Sequence, residues 1–122
     1  MNKKIVLIGG GGHAQVILEI LERQNELIYG YVAKETSCLK NFKKINYLGT
    51  DDELLKEKPQ DFHLINCLPI MPKRTFPVDL IAKYKRKGFQ FKNVISEQAY
   101  VSPKSILGEG CQIMDGARLN VE

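Results

Sequence analysis

The chain has 122 residues, of which 43% are hydrophobic and 26% are charged, and its formal net charge is +4. This balance excludes a largely disordered chain, and apolar runs such as Ile5 to Ile8 are far shorter than the ~20 residues that a membrane span needs. The length predicts one compact domain of roughly 95 residues and a shorter segment after it.

The sequence shows neither the pattern of a secretory signal nor a cysteine pattern that indicates a disulfide or zinc site. The first apolar run has four residues and is followed by four glycines, which is not the apolar core of a secretory signal. Cys38, Cys67 and Cys111 are odd in number and far apart, so they indicate neither a disulfide framework nor a zinc site. We therefore expect a cytoplasmic protein with reduced cysteines, no bound metal and no insertion into a membrane.

The predicted elements alternate between strand and helix. The apolar run from Lys3 to Gly9 predicts a buried strand, and Ala14 to Arg23 follows a helical period. A second strand is expected from Leu27 to Val32 and a short one from Asn46 to Gly49. The remaining elements are a helix from Thr50 to about Lys58 with a Thr50–Glu53 capping box, a strand from Phe62 to Leu68, a helix from Arg74 to Lys87 stopped by Gly88, and a strand from Phe89 to Ile95.

Strands that alternate with helices predict a parallel sheet with right-handed crossovers. The expected fold class is therefore α/β, with a small doubly wound, Rossmann-like sheet of four or five strands. Ligands of such sheets bind beyond the carboxyl ends of the strands. In this sequence those ends are Gly9 to His13, Val32 to Lys34 and Cys67 to Arg74.

A basic cluster lies on and after the predicted helix that ends at Lys87. It is more simply explained as a solvated helix face than as a nucleic-acid site, because no recognised module or aromatic stacking platform accompanies it. We expect Val78, Ile81 and Ala82 to form the buried side of that helix. The cluster consists of Lys83, Lys85, Arg86, Lys87 and Lys92.

The glycine loop between the first strand and the first helix is the strongest candidate binding site. Gly9 to Ala14 fits the pattern G-x-G-x-x-A, which lets backbone approach a ligand and presents a helix N-terminus to a phosphate. His13 could donate to the same oxygens. The alternative is that the glycines only form a tight turn. An NAD site would need an acidic residue at the end of the second strand, and none precedes Glu35.

No catalytic set emerges elsewhere in the sequence. There is no G-x-S-x-G elbow and no P-loop. His63 lies inside an apolar strand, where it is more often a core residue. Asp51 and Asp52 look like paired carboxylates, but they lie in the first turn of a helix, where acidic residues suit the dipole.

The last part of the chain repeats with a period of six. An aliphatic residue stands third in each unit and a small residue stands first, which predicts the start of a parallel β-helix. Such repeats need about three neighbours for a stable core, so we expect this chain to be the front of a longer protein. The units are Ala99 to Lys104, Ser105 to Gly110, Cys111 to Gly116 and Ala117 to Glu122, and their aliphatic residues are Val101, Leu107, Ile113 and Leu119.

The order of these motifs resembles the bacterial nucleotide-sugar acetyltransferases grouped with sialic acid O-acetyltransferase and UDP-linked amino-sugar N-acetyltransferases. The resemblance runs along the whole chain. It is carried by Ile8 to Ala14, Leu48 to Asp52, Gly88 to Phe91 and Ala99 to Pro103.

The resemblance implies which ligands to expect. A nucleotide-sugar would bind the N-terminal domain, acetyl-CoA would lie against a left-handed β-helix, and the whole enzyme would be a homotrimer. Its catalytic histidine would fall after Glu122, so this chain would contain no catalytic residue and would be inactive alone. By position, Gly10, Gly11, Gly12 and His13 would meet the phosphates, and Val32, Ala33, Asn66, Cys67 and Arg74 would line the nucleoside end.

The resemblance has two departures and leaves some alternatives open. The family often has an acidic pair after the second strand and a glycine-asparagine pair after the third, where this chain has Val32 to Lys34 and Asn66 to Pro69, so a uracil preference is not implied. We expect a nucleotide-sugar-binding domain at residues 1–96 and the first hexapeptide repeats at 97–122. The expected whole protein is an acetyltransferase acting on a nucleotide-activated amino sugar for surface glycans. The alternatives are a non-catalytic nucleotide-sugar module and an NAD-binding oxidoreductase fragment.

Overall fold

The structure, a computed structural model, describes residues 3–69, 76–103, 105 and 107–119. Strands and helices alternate along the first 91 residues, as the hydrophobic pattern predicts. These elements are β1 (Lys4–Ile8), α1 (Gly12–Arg23), β2 (Ile28–Val32), a 3-10 turn (Lys40–Lys44), α2 (Asp51–Leu54), a second 3-10 turn (Pro59–Asp61), β3 (Phe62–Asn66), α3 (Phe76–Arg86) and β4 (Gln90–Phe91).

A four-stranded parallel sheet with the order β2-β1-β3-β4 forms the centre of the fold. β1 lies inside this sheet and is paired on both sides, which requires a strand that is apolar on both faces. Val6, Leu7 and Ile8 meet this requirement and are fully buried. The predicted α/β fold class and the expected number of strands are confirmed.

Helices cover both faces of the sheet. On one face, Leu54 of α2 and Tyr84 of α3 pack with Val6 and Ile8. On the other face, the apolar stripe of α1 packs with Leu7. Since alternate side chains of β1 point to opposite faces, the five-residue run builds both cores, and the sheet is doubly wound.

Two helices end with the same hydrogen-bond pattern. After α3, the amide of Gly88 donates to Lys85 O at 3.0 Å and that of Phe89 donates to Tyr84 O at 3.1 Å. After α1, the corresponding left-handed position is held by Asn25, with a φ of 56°. Gly88 has a φ of 102°, so the prediction that a glycine stops α3 is confirmed.

Several predicted boundaries are wrong in detail. The run Phe89 to Ile95 is not one strand, because the chain leaves the sheet after Phe91. Asn46 to Gly49 forms only one bridge, between Tyr31 and Tyr47.

The predictions for α2 and α3 also need correction. Thr50 lies at the N-cap of α2 but makes no side-chain cap hydrogen bond, so the predicted capping box is absent. Val78 on α3 is 71% exposed, since the helix buries Leu80 and Tyr84 instead.

The last described part of the chain, residues 94–119, is called the coil segment below. Its strands are β5 (Val94–Ile95), β6 (Tyr100–Val101), β7 (Gln112–Ile113) and β8 (Arg118–Leu119). β5 pairs with β7 and β6 pairs with β8, each in parallel and each three hexads apart in the sequence. This register is the one that a β-helix with three hexads per turn requires.

The coil segment packs on the α1 side of the sheet. Val94 is buried in the same core cluster as Ile17 and Leu18 of α1. The boundary between residues 96 and 97 stays a prediction, and so does the β-helix. No helix in the described ranges is both long enough and apolar enough to span a membrane.

Candidate functional site

The glycine loop leaves the sheet between the carboxyl ends of its neighbouring strands. The amide of Gly9 donates to Val32 O of β2 at 2.8 Å. On the β3 side, a Cβ placed on Gly9 would lie 3.2 Å from Cys67 O, and the φ of Gly9 is +110°. A side chain at this position is strained, so Gly9 has a structural role.

Gly10 is held by a small polar cluster on its other side. Ser37 Oγ donates to Gly10 O at 2.7 Å, and the amide of Ser37 donates to Tyr31 Oη at 2.8 Å. A Cβ on Gly10 would lie 3.1 Å from the Ser37 Cβ and 3.2 Å from the Tyr31 ring. These contacts fix the direction in which the loop enters α1.

Gly11 and Gly12 face open space. A Cβ on either residue would have no described atom within 4 Å. Gly11 is the N-cap of α1, no side chain caps this helix, and its first turn holds no acidic residue. The first-turn amides therefore have no partner within the helix, and together with the helix dipole they favour an anion.

His13 is joined to the coil segment across a cleft. His13 Nε2 lies 2.9 Å from Gln112 Oε1, and Gln112 Nε2 donates to the backbone carbonyl of Asn66 at the end of β3. Asn66 Oδ1 accepts a hydrogen bond from the Leu68 amide at 3.0 Å. The cleft has a volume of about 460 Å³ and is lined by His13, Asn66, Leu68, Pro69, Gln112 and Met114.

The predicted nucleoside-end residues differ in what they expose. The side chains of Val32 and Cys67 are buried, and burial raises the pKa of the Cys67 thiol. The Ala33 amide donates to Gly49 O, and its carbonyl accepts from Tyr47 Oη. Arg74 lies outside the described residues. The structure thus brings His13 and Asn66 to one cleft and keeps two of the predicted side chains out of it.

Gln112 and Met114 of the coil segment are the cleft residues that the sequence analysis does not predict. The hexad pattern identifies only the inward aliphatic residue, here Ile113. Neighbouring residues in a strand point to opposite faces. The residues before and after each inward aliphatic are therefore free to face another element, which is the signal that could have identified Gln112 and Met114.

Charged side chains also line a second surface cleft. A basic cleft of about 800 Å³ lies at the amino ends of the strands, and its lining includes Lys3, Lys4, His63 and Lys92. The pKa of His63 is lowered mainly by burial, and the positive charges of Lys92 and Lys3 lower it further. Ligands of parallel α/β sheets bind at the opposite, carboxyl edge, so the glycine loop and the His13 cleft are the candidate site.

Asp51 has a structural partner. Tyr84 Oη donates to Asp51 Oδ1 at 2.6 Å and so ties α3 to α2. Burial raises the pKa of Asp51, and this hydrogen bond opposes the rise. Among the described residues, no three His, Cys, Asp or Glu side chains are grouped as a metal site would require.

The comparisons with known proteins identify related folds. Residues 4–68 match the family model described as the PglD N-terminal domain. A mutant of perosamine N-acetyltransferase from Caulobacter crescentus, in complex with CoA and GDP-perosamine, is 29% identical with a TM-score of 0.79 over 98% of this chain and 55% of that one. PerB from the same organism, in complex with the same two ligands, is 30% identical with a TM-score of 0.77, covering 98% of this chain and 55% of that one.

A more distant structure has the same fold. The acetyltransferase domain of PglB from Neisseria gonorrhoeae FA1090, in complex with acetyl coenzyme A, is 24% identical with a TM-score of 0.79, covering 97% of this chain and 56% of that one. The chain therefore spans little more than half the length of these structures. No curated protein sequence matches it significantly.

Proposed function

Because the chain belongs to the PglD N-terminal domain family, we propose that it is the nucleotide-sugar-binding part of an acetyl-CoA-dependent acetyltransferase acting on a nucleotide-activated amino sugar. One observation carries the binding role: the N-terminus of α1 is open at Gly11 and Gly12, with no side-chain cap. Similarity to acetyltransferases in complex with CoA and GDP-perosamine supports the activity.

A pyrophosphate suits this site on electrostatic grounds. It carries two negative charges, and unpaired amides at a helix N-terminus stabilise negative charge with the helix dipole. Gly11 and Gly12 let the phosphates approach the backbone, and His13 follows them directly. In this proposal the chain binds and orients the substrate, and the cleft between His13 and Gln112 leads from the phosphates towards the coil segment.

The nucleoside would lie near the ends of β2 and β3. Val32, Ala33, Asn66, Cys67 and Arg74 are the proposed lining, with Val32 and Cys67 contributing backbone atoms because their side chains are buried. The acidic pair that would favour uracil is replaced by Ala33 and Lys34. We therefore propose no base, and the test uses both uridine and guanosine ligands.

Acetyl-CoA is the proposed acetyl donor, but the described coil segment does not fit it alone. CoA carries several phosphates, and the single described cation of this segment, Arg118, lies 5.0 Å from the Tyr100 ring centroid. We derive no step through CoA from these residues. Its site, the catalytic base and the contacts of a homotrimer are proposed to lie in the half of the related enzymes that this chain does not span. Surface glycan synthesis in the cytoplasm is the proposed setting.

Calorimetric titration of the chain with UDP-N-acetylglucosamine and GDP-mannose, with NAD as the comparison ligand, tests the binding role. We expect saturable binding of at least one nucleotide-sugar and none of NAD. His13→Ala should weaken that binding by about 1 to 2 kcal/mol, the loss expected for a donor to a charged acceptor. His63→Ala is the matched control, because His63 lines the basic cleft at the other edge. Binding of NAD alone would contradict the proposal.

A further inference from the structure

The orientation of the Gln112 amide group is fixed by its two partners, His13 and the Asn66 carbonyl. The backbone carbonyl of Asn66 can only accept a hydrogen bond, so the amide nitrogen of Gln112 must point to it. The amide oxygen then faces His13 Nε2, at 2.9 Å. Reversing the amide would bring two oxygens together and leave the imidazole without an acceptor.

This orientation selects one tautomer of His13. Gln112 Oε1 is an acceptor only, so His13 Nε2 must carry a hydrogen. In the neutral ring the other nitrogen, Nδ1, then has a lone pair and no hydrogen. Nδ1 is bonded to Cγ and is the ring nitrogen nearer the main chain of α1. No hydrogen bond to Nδ1 is found within the described part of the chain.

In this tautomer, an anion that contacts Nδ1 meets an acceptor when His13 is neutral. Nδ1 can donate to a phosphate oxygen only after it takes a proton from solvent, and Nε2 keeps its bond to Gln112 in both states. We propose that Gln112 is a positioning residue that holds His13 in the Nε2–H tautomer, so that binding of a pyrophosphate ligand is coupled to uptake of one proton by His13. This inference rests on the proposed function for its ligand and on the hydrogen-bond geometry for the tautomer.

The surroundings of His13 add no competing titration. The other described residues of the cleft carry no ionisable side chain that titrates near neutral pH, since they are Asn66, Leu68, Pro69, Gln112 and Met114. The ligand should also not titrate, and the pyrophosphate of a nucleotide-sugar is a diester that stays fully ionised near neutral pH. A proton taken up on binding can then be assigned to the imidazole.

The tautomer is tested without any ligand. Long-range 1H–15N spectra of the full chain distinguish the two ring nitrogens of each histidine, and the His13→Ala spectrum assigns the remaining signal to His63. We expect His13 in the Nε2–H form in the wild type and a mixture of tautomers in Gln112→Leu. Gln98→Leu, an exposed glutamine of the same segment, should leave the wild-type form. A wild-type His13 in the Nδ1–H form would overturn the inference.

The coupling is tested by titrating GDP-mannose and UDP-N-acetylglucosamine into the chain in buffers with different ionisation enthalpies. We expect the wild type and Gln98→Leu to take up protons on binding at pH 7 to 8. In Gln112→Leu the neutral ring can donate from Nδ1, so uptake should fall to less than half of the wild-type value. Backbone 1H–15N spectra would verify that each variant is folded.

The outcomes separate the two proposals. Equal proton uptake in wild type and Gln112→Leu, with both proteins folded, would overturn the role of Gln112 while leaving the nucleotide-sugar site in place. Absence of binding by any nucleotide-sugar would overturn the proposed function and with it the coupling. A wild-type affinity that does not change with pH would overturn the coupling even where the tautomer is Nε2–H.

Discussion

At the scale of single residues, consecutive glycines of one loop meet different surroundings. Gly9 needs a positive φ, Gly10 packs against Ser37 and Tyr31, and Gly11 and Gly12 face open space. The first two are therefore explained by the fold. The absence of side chains at the last two is explained by neither packing nor strain, which is why they carry the binding hypothesis.

Gly12→Ala should separate stability from binding. Alanine is the better helix former, so the free energy of unfolding should stay the same or rise by up to ~1 kcal/mol. Its methyl group would occupy the space proposed for a phosphate and weaken nucleotide-sugar binding about tenfold or more. Urea denaturation and calorimetry measure the two effects. An unchanged affinity would mean that the ligand does not approach Gly12.

Gly30→Ala is the contrasting variant. A Cβ on Gly30 would lie 2.6 Å from both Asn46 O and Leu48 Cγ. This clash should lower the free energy of unfolding by about 1 to 3 kcal/mol. The pair of variants shows whether glycines of this domain are retained for packing or for a ligand.

The role of a residue was predictable from sequence where it depends on neighbouring residues in the chain. It was not predictable where it depends on a contact with a distant residue. Gly88 follows from helix termination, because a left-handed residue is needed there. Gln112 gains its role from His13, almost a hundred positions earlier in the chain. No local pattern contains that contact, since it depends on how the coil segment packs against the end of α1.

At the scale of elements, α2 and α3 are joined by a partly buried hydrogen bond between Tyr84 and Asp51. Burial raises the pKa of Asp51, so the folded chain holds this proton to higher pH than the unfolded chain does. Ionisation of Asp51 therefore lowers stability as the pH rises from about 4, the ordinary carboxyl range, through the folded pKa.

Asp51→Asn should be more stable than the wild type at neutral pH. The amide oxygen of asparagine still accepts from Tyr84 Oη, and the residue carries no charge to bury. The difference in the free energy of unfolding should shrink towards zero as the pH falls below about 4. Denaturation curves between pH 3 and 8 check this, with exposed Asp52→Asn as the control. A difference that grows on acidification would contradict the assigned direction.

The other end of α1 is fastened to the coil segment by charge. Arg23 Nε lies 2.6 Å from Glu97 Oε1, and Arg23 Nη2 lies 2.6 Å from Asp115 Oδ1. Hydrogen bonds from Arg23 and Ser96 lower the pKa of Asp115. The pKa of Glu97 is lowered by a hydrogen bond with the backbone of Glu97 itself, and further by Gln24 and Arg23. These contacts are therefore present above the ordinary carboxyl range and lost as the pH falls through the folded pKa values.

Arg23→Gln should loosen the coil segment and leave the sheet unchanged. The amides of Val94 and Ser96, which donate to Cys111 O and Ile113 O, should exchange faster with deuterium, whereas the amides of β1 should not. High salt should produce part of the same effect in the wild type. Arg86→Gln, on the exposed side of α3, is the control. Uniformly faster exchange would mean that Arg23 stabilises the whole fold.

The elements themselves show where sequence patterns fail. Val94 and Ile95 look like the continuation of β4, because apolar periodicity does not record a change of partner. In the structure Lys92 donates its amide to Leu64 O of the sheet, whereas Val94 donates to Cys111 O of the coil segment. The strand is thus divided by pairing and not by composition.

At the scale of the whole molecule, the described residues form a four-stranded α/β sheet followed by two short parallel strand pairs. Hydrophobic pattern and turn residues were sufficient to predict the sheet and its two helical layers, whereas the hexapeptide repeat stays a prediction. They could not predict how the coil segment docks. Leu119, the inward aliphatic residue of the last predicted hexad, is 37% exposed.

The most direct test of the account is a backbone 1H–15N titration of the chain with GDP-mannose and UDP-N-acetylglucosamine. It asks which edge of the sheet the nucleotide-sugar occupies. We predict the largest shifts at the amides of Gly11, Gly12 and His13, with none in the basic cleft around Lys3 and Leu27. Shifts confined to the basic cleft, or no shifts with either ligand, would contradict the central claim that the open N-terminus of α1 binds the phosphates.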